Sequence, residues 1–185
     1  MKTITTSIQH SEQTIQLLCK TQYNTFHFRR KALQCLAGLA LLLSGLYASL
    51  GGVWGPIAAF AGCWLLFSLD MPARSYAKQA LSQLDGHFPL GRYEFGEDDF
   101  TFIGESATDT IPYGKIIRLV EDSNYGYLFL SELTTFMVDK NALADSVDAW
   151  RELLSKRTGL PWTRTNRLLT YSLRSFRKNR SRQKK

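Results

Sequence analysis

Between Lys31 and Asp70 the chain runs 38 residues, Ala32 to Leu69, without one charged side chain. At the 21% charged content of the whole sequence, about eight would be expected in that length. The run breaks at Gly51-Gly52 into ALQCLAGLALLLSGLYASL and VWGPIAAFAGCWLLFSL, 19 and 17 residues long. A bilayer span takes about 20 apolar residues, within a range of about 17–25, so the pattern predicts two short transmembrane helices joined by a tight turn. A helix is the only open element that crosses lipid with its own backbone donors and acceptors satisfied.

Arg29, Arg30 and Lys31 stand directly before the first segment, with Lys20 further back, and Arg74 and Lys78 follow the second; the turn carries no charge. Basic flanks stay on the cytoplasmic side, so both termini are expected there. Tyr47 and Trp54 flank the turn, where amphipathic rings settle at headgroup level. Pro56 fits the first turn of the second helix, where its missing N–H is not needed. Gly38 and Gly45, like Gly55 and Gly62, are seven apart, which places each pair on one helix face and predicts close helix packing. A cleaved signal peptide does not fit, because the apolar run begins beyond residue 30 and a second one follows it. A buried hairpin in a soluble protein would need a large shell around two all-apolar helices. From Pro56 to Leu69 the second segment holds only 14 residues, so a shallow or re-entrant hairpin stays open beside a full span.

The net charge of +7 over 185 residues is unevenly placed. Residues 1–70 hold five basic and two acidic groups, residues 71–160 nine and 14, and residues 161–185 nine and none. The chain therefore divides into an N-terminal strand and helix (1–30), the hairpin (31–70), a connecting helix with a mildly acidic β domain (71–160), and a basic amphipathic juxtamembrane tail (161–185). Ile4, Thr6 and Ile8 alternate as a short strand. Ser11 caps a helix on which Ile15, Leu18, Cys19 and Gln22 share a face. Pro72 to Leu84 reads as a helix that Gly86 ends. Beyond it, short alternating runs (Tyr93, Phe95; Phe100, Phe102; Ile116, Leu119; Tyr127, Phe129) are separated by turn residues at Gly96–Asp99, Gly104–Ser106, Asp122–Gly126 and Ser131–Leu133. That spacing predicts an antiparallel meander curling into a half-barrel or sandwich. Asn141 to Arg157 reads as an amphipathic helix with Trp150 on its apolar face, stopped by Gly159. Six or so strands closed by one such helix resemble the plan of a pleckstrin-homology-like (PH-like) domain.

Little here points to catalysis. Glu97-Asp98-Asp99 is the densest acidic cluster, but a divalent cation wants carboxylates converging from a spaced loop or separate elements, and three in a row between strands reads as a solvated hairpin tip. Glu121-Asp122 reads the same way. His10, His27 and His87 have no His, Cys or Glu partner at metal or triad spacing. Ser68 and Ser106 lie in no nucleophile-elbow setting, and no Gly-rich phosphate loop opens a helix. Cys19, Cys35 and Cys63 show no metal-ligand spacing and read as apolar fillers in a reducing compartment. No enzyme activity, metal or cofactor is expected. In the tail, Leu168, Leu169, Leu173 and Phe176 fall in one helical arc with Arg167, Arg174, Arg177 and Lys178 opposite, the pattern of a helix lying on an anionic bilayer. Each cation near such a surface is worth about 1 kcal/mol. The alternative is a disordered basic tail.

The segment IPYGKIIRLVEDSNYGYLFLSELTTFMVDKNAL, Ile111 to Leu143, resembles the bacterial YcxB-like family in its isoleucine and tyrosine, its polar strand and its aromatic hairpin. Its closing apolar-x-Lys reads Val138-Asp139-Lys140 where the family often has Ile-Pro-Lys. The resemblance implies a membrane hairpin with a small PH-like domain, a strand at Thr3–Ile8 that joins the sheet, and no catalytic residues.

The expected fold is thus an α+β membrane protein: a two-helix transmembrane hairpin with a PH-like antiparallel β domain closed by a C-terminal helix. It would sit in a bacterial inner (plasma) membrane as a multi-pass protein. The expected role is a non-enzymatic interaction module that presents the domain at the cytoplasmic face to a protein or lipid ligand. Lipid-surface contact would fall to Arg164, Arg167, Arg174, Arg177 and Lys178, and helix packing to Gly38, Gly45, Gly55 and Gly62. Membrane lipids and a protein partner are expected, a homo-oligomer is left open, and nucleic acid is disfavoured. The alternative role is a small structural subunit of a larger membrane complex.

Overall fold

The computed structural model describes residues 3–48, 52–105 and 107–165. The chain divides into two compact units, one of Cys19–Gln83 and one of Met1–Leu18 with Leu84–Lys185. The helical unit is inserted into the sequence of the other.

Helix α1 (Glu12–Phe26) begins in the β unit and ends in the helical one. Ser11 starts it as expected: its Oγ accepts the Thr14 N–H, and the Thr14 hydroxyl accepts the Ser11 N–H. Helices α2 (Phe28–Ala48) and α3 (Trp54–Ser68) form the hairpin, and α4 (Met71–Leu84) follows. Two stretches, Phe28–Ala48 and Trp54–Leu84, are long and apolar enough to cross a bilayer. Helix α3 proper has 15 residues, about 22 Å at 1.5 Å per residue, and helical backbone continues through its C-cap Leu69.

All four hairpin glycines are buried, while Leu33, Leu43, Trp54, Phe60 and Phe67 point outward and are exposed. The glycines let the two backbones touch. A Cβ on Gly45 would lie 2.3 Å from the Ala59 nitrogen and 2.7 Å from the Gly55 carbonyl oxygen, and one on Gly62 would lie 2.5 Å from the Leu42 nitrogen and 2.6 Å from the Gly38 oxygen. Both glycine faces are therefore occupied within the hairpin. At its charged base, Lys31 Nζ donates to Asp70 Oδ1 at 2.6 Å and to Asn24 Oδ1 at 2.9 Å, and Lys20 reaches the other Asp70 oxygen at 3.6 Å. Lys31 is only 3% exposed, so it depends on this partner: an unpaired buried charge is expensive. One turn further in, Gln34 Nε2 donates to Ser68 Oγ at 2.9 Å and to the Leu65 carbonyl at 3.2 Å.

The β unit holds two sheets. Strands β1 (Ile4–Gln9), β2 (Leu90–Phe95), β3 (Asp99–Ile103) and β4 (Thr108–Pro112) form the first in sequence order. Strands β5 (Arg118–Glu121), β6 (Tyr125–Phe129), β7 (Thr135–Asp139) and β8 (Trp162–Arg164) form the second in the order β7-β6-β5-β8. All neighbours are antiparallel except β5 and β8. The first pair is an interrupted hairpin: β1 and β2 match over six positions, from Ile4 opposite Phe95 to Gln9 opposite Leu90, although residues 10–89 lie between them.

Helix α5 (Val147–Thr158), preceded by a 3₁₀ turn at Asn141–Ser146, lies across one end of the sheets. Gly159 ends it at φ 68°, with its N–H on the Ser155 carbonyl, the left-handed geometry glycine tolerates best. The fully buried Trp150 ring contacts Phe95 at 5.8 Å and Trp162 at 5.0 Å. Gly126 makes room for it, since a Cβ there would sit 2.4 Å from the ring. Phe136 joins the sheets from the other side, 5.4 Å from Phe100 and 5.3 Å from Phe102.

Sequence and structure differ at three places here. Strand β4 carries a single inward apolar residue, Ile111, among exposed neighbours and so shows no alternation. Strand β8 stands where the basic tail was expected to begin; Trp162 pairs beside Leu119 and the Trp162 indole donates to the Arg151 carbonyl at 3.1 Å. The last helix begins with a 3₁₀ turn, not at Asn141 as an α-helix.

Replacing Gly45 or Gly62 by Leu drives a side chain into backbone atoms, and we expect a loss of at least ~2 kcal/mol in hairpin stability. Ala37→Leu, at an exposed position of α2, should change little. Thermal unfolding followed by circular dichroism in detergent separates the two outcomes.

Candidate functional site

The start of β1, the end of β2 and the outer side of α5 enclose a cavity of about 500 Å³ in the β unit. Phe95, Ala149 and Leu153 supply apolar wall, and Thr3, Thr5 and Glu97 supply polar groups. Among the described residues strand β1 is the terminal strand of its sheet, with β7 and the 3₁₀ turn at Asn141–Ser146 packed beside it. A cleft of this size fits a small ligand or a short extended segment.

The lower rim is the turn between β2 and β3. The Gly96 N–H donates to the Asp99 carbonyl at 2.9 Å, and the Tyr113 hydroxyl donates to the Gly96 carbonyl at 3.0 Å. Burial, with the nearby Asp99 charge adding to it, pushes the Tyr113 phenol up to about 12. The acidic tip of this turn is not simply solvated, as the sequence suggests. Arg157 of α5 bonds Glu97 at 2.9 Å and Asp98 at 3.2 Å, tying the helix to the turn.

A second cluster lies beneath α5. Glu121, expected at a solvated turn, is 7% exposed and accepts from Arg151 Nε at 2.9 Å, Arg151 Nη2 at 2.7 Å and Lys140 Nζ at 3.1 Å. Strand alternation explains this: Leu119 points inward, so Glu121 two residues on does too. Lys140 is the lysine of the apolar-x-Lys motif, and it also donates to the Asp122 carbonyl. Burial alone would raise the Glu121 carboxyl, but the bonds from Arg151 and Lys140 outweigh it and hold the group below its ordinary value. Asp122 organises the adjoining turn, accepting the Asn124 and Tyr125 N–H groups on one oxygen and the Tyr127 hydroxyl on the other. The cluster fixes α5 and with it one wall of the cavity.

The residues singled out from sequence do not converge on this site. Arg164 is exposed on β8, level with Glu121, while Arg167, Arg174, Arg177 and Lys178 lie outside the described residues. Gly38, Gly45, Gly55 and Gly62 belong to the hairpin. His87 has a carboxylate partner that spacing did not reveal, with its Nε2 2.7 Å from Glu105 at the surface. Burial lowers the affinity of His10 for a proton. Among the described residues no group of three His, Cys, Asp or Glu is placed to hold a metal ion.

The class these features define is a small two-sheet β unit, closed at one end by a helix, with an apolar helical hairpin spliced into one of its own β-hairpins. Residues 95–154 match the family model described as YcxB-like protein, and the resemblance seen in Ile111–Leu143 is borne out over that stretch. The matched third of the chain runs from the end of β2 through β7 to Leu154 of α5, and includes Glu121, Lys140 and Arg151. No curated protein matches the chain, and no solved structure does.

Because the folded-state affinity of Glu121 for protons lies below its ordinary value of 4.5, its ion pairs stabilise the fold fully above that pH and are lost as the pH falls through the depressed value. We expect the unfolding midpoint of the wild type to drop as the pH is taken from 7 to below 4.5. Glu121→Gln should flatten part of that drop and cost about 2 kcal/mol at neutral pH, since it leaves Lys140 buried without its charge partner. Thermal melts across that pH range check both.

Proposed function

We propose that this chain is a membrane-anchored, non-enzymatic interaction module. Helices α2 and α3 cross the bacterial plasma membrane as a hairpin with both chain ends cytoplasmic, and the β unit is a PH-like domain held at that face. The exposed apolar side chains support the anchoring. Only 17% and 11% of the two candidate span windows are buried, whereas the core helix of a soluble protein would be mostly covered. The basic flanks of the hairpin support the direction. Seven strands in two sheets with a closing helix, β8 aside, support the PH-like reading.

The observation that carries the functional reading is the cavity between the start of β1, the β2–β3 turn and α5. It offers a short protein segment an apolar wall at Phe95, Ala149 and Leu153 for one side chain and polar groups at Thr3, Thr5 and Glu97. The basic tail would orient the domain on anionic lipid. The structural-subunit reading has less support, because both glycine faces are occupied inside the hairpin.

The test is in-membrane crosslinking followed by mild-detergent purification of three forms: full length, a truncation after Thr165 that keeps β8, and Ala149→Trp, which fills the cavity. We expect a crosslinked protein partner in the first two and its loss in the third. A partner that survives Ala149→Trp, or the absence of any partner, refutes recognition at this cavity.

A further inference from the structure

The cavity of the β unit lies against one side of α5, and the chain leaves the fold beside the other. At 3.6 residues per turn, Arg151 falls about 180° from the midpoint of Ala149 and Leu153, the α5 residues that line the cavity. Arg151 Nη2 bonds the Glu121 carboxylate at 2.7 Å, and the Thr165 N–H donates to the Glu121 carbonyl at 2.9 Å. Residues 166–185 therefore set out within a side chain's length of the α5 face opposite the cavity, in the same compact unit.

The outward face of α5 lies between these two places. It carries Asp148 and Glu152, both exposed, with Lys156 one turn on. The other α5 cations are engaged, Arg151 on Glu121 and Asp148, and Arg157 on Glu97 and Asp98. Glu97 also lines the cavity. Over residues 3–18 and 84–165, the described part of the β unit, acidic groups number 15 and basic ones eight. Residues 166–185 hold eight basic groups and no acidic one, interleaved with Leu168, Leu169, Leu173 and Phe176.

We propose that this basic segment is the cavity's own occupant: it crosses the carboxylates of α5 and seats Leu173 against Phe95, Ala149 and Leu153. The recognition site thereby has a competitor in cis, and this regulation rests on the reading of the cavity given above. Half the circumference of a helix about 10 Å across is about 16 Å, which about five extended residues span at about 3.3 Å each. Leu173 stands eight residues past Thr165, so the chain reaches the cavity with slack. Arg167 falls on the crossing, where Asp148 and Glu152 face it, and Arg174 follows Leu173 to the Glu97 rim. Covalent attachment keeps the effective concentration at about millimolar, so a partner segment must displace the tail to enter. An anionic bilayer attracts the same cations and competes with the cavity for them.

The test uses the full-length chain with Phe176→benzoylphenylalanine, irradiated at high dilution in uncharged maltoside micelles and mapped by mass spectrometry. We expect intramolecular crosslinks to α5 and to the start of β1. Ala149→Trp, which fills the cavity, should abolish them. Leu173→Asp should do the same, and it changes no residue of the two sheets or of α5. Crosslinks that persist in both variants, that join two copies, or that fall elsewhere than α5 and β1 overturn the proposal. Partner capture separates this from the recognition reading: truncation after Thr165 should raise it several-fold over the full-length chain. Cavity crosslinks with no partner captured by either form uphold the docked segment and refute the partner. Equal capture by both forms with no cavity crosslink upholds the partner and refutes the docked segment.

Discussion

The six-position pairing of β1 with β2 is the constraint on which the rest of the molecule depends. Its two strands are separated by residues 10–89, yet they meet as closely as the strands of an ordinary hairpin. Even a flexible loop of that length would raise the closure cost by only about 2.4 kcal/mol over a five-residue loop, at 0.6 kcal/mol per doubling. The paired strands recover that from inward-facing Thr6, Ile8, Tyr93 and Phe95, all buried. Once β1 is in register, it supplies one side of the cavity.

Much of this was legible because it follows strict periods. A stretch without charge, glycines seven apart, alternating aromatics and a tryptophan at helical spacing each have one economical reading; α2, α3, β2 and β3 stand where those patterns place them, and α5 does so from Val147 onward. Even the joining of β1 to the sheet came from resemblance and not from periodicity, since alternation identifies a strand but not its partner. What stayed hidden depends on contacts distant in sequence. Glu121 looked like part of an acidic turn because Arg151 lies 30 residues away and Lys140 19 away. Arg157 reaches Glu97 across 60 residues. Strand β4 and strand β8 were missed for lack of an apolar alternation: one shows a lone Ile111, and the other is three residues long.

The cavity illustrates how local rules combine into a place no local rule describes. The Gly96–Asp99 turn, the Tyr113 bond to Gly96 and the Arg157 bridge hold its floor, while Glu121, through Arg151, holds α5 against the second sheet. None of these residues alone marks a binding site. Their shared effect is to fix the walls of a cleft beside β1.

The two charges that bound the apolar run, Lys31 and Asp70, are also each other's closest partners, 2.6 Å apart. Were the hairpin to span a bilayer as proposed, that pairing would act as a check on insertion. A chain threading both helices would bring the lysine and the aspartate to the same face, where they neutralise one another beside Asn24. A chain threading only one would leave them on opposite sides of the hydrocarbon, each without its counter-ion. Full insertion would then be separated from half-insertion by an energy gap that the apolar residues alone do not provide.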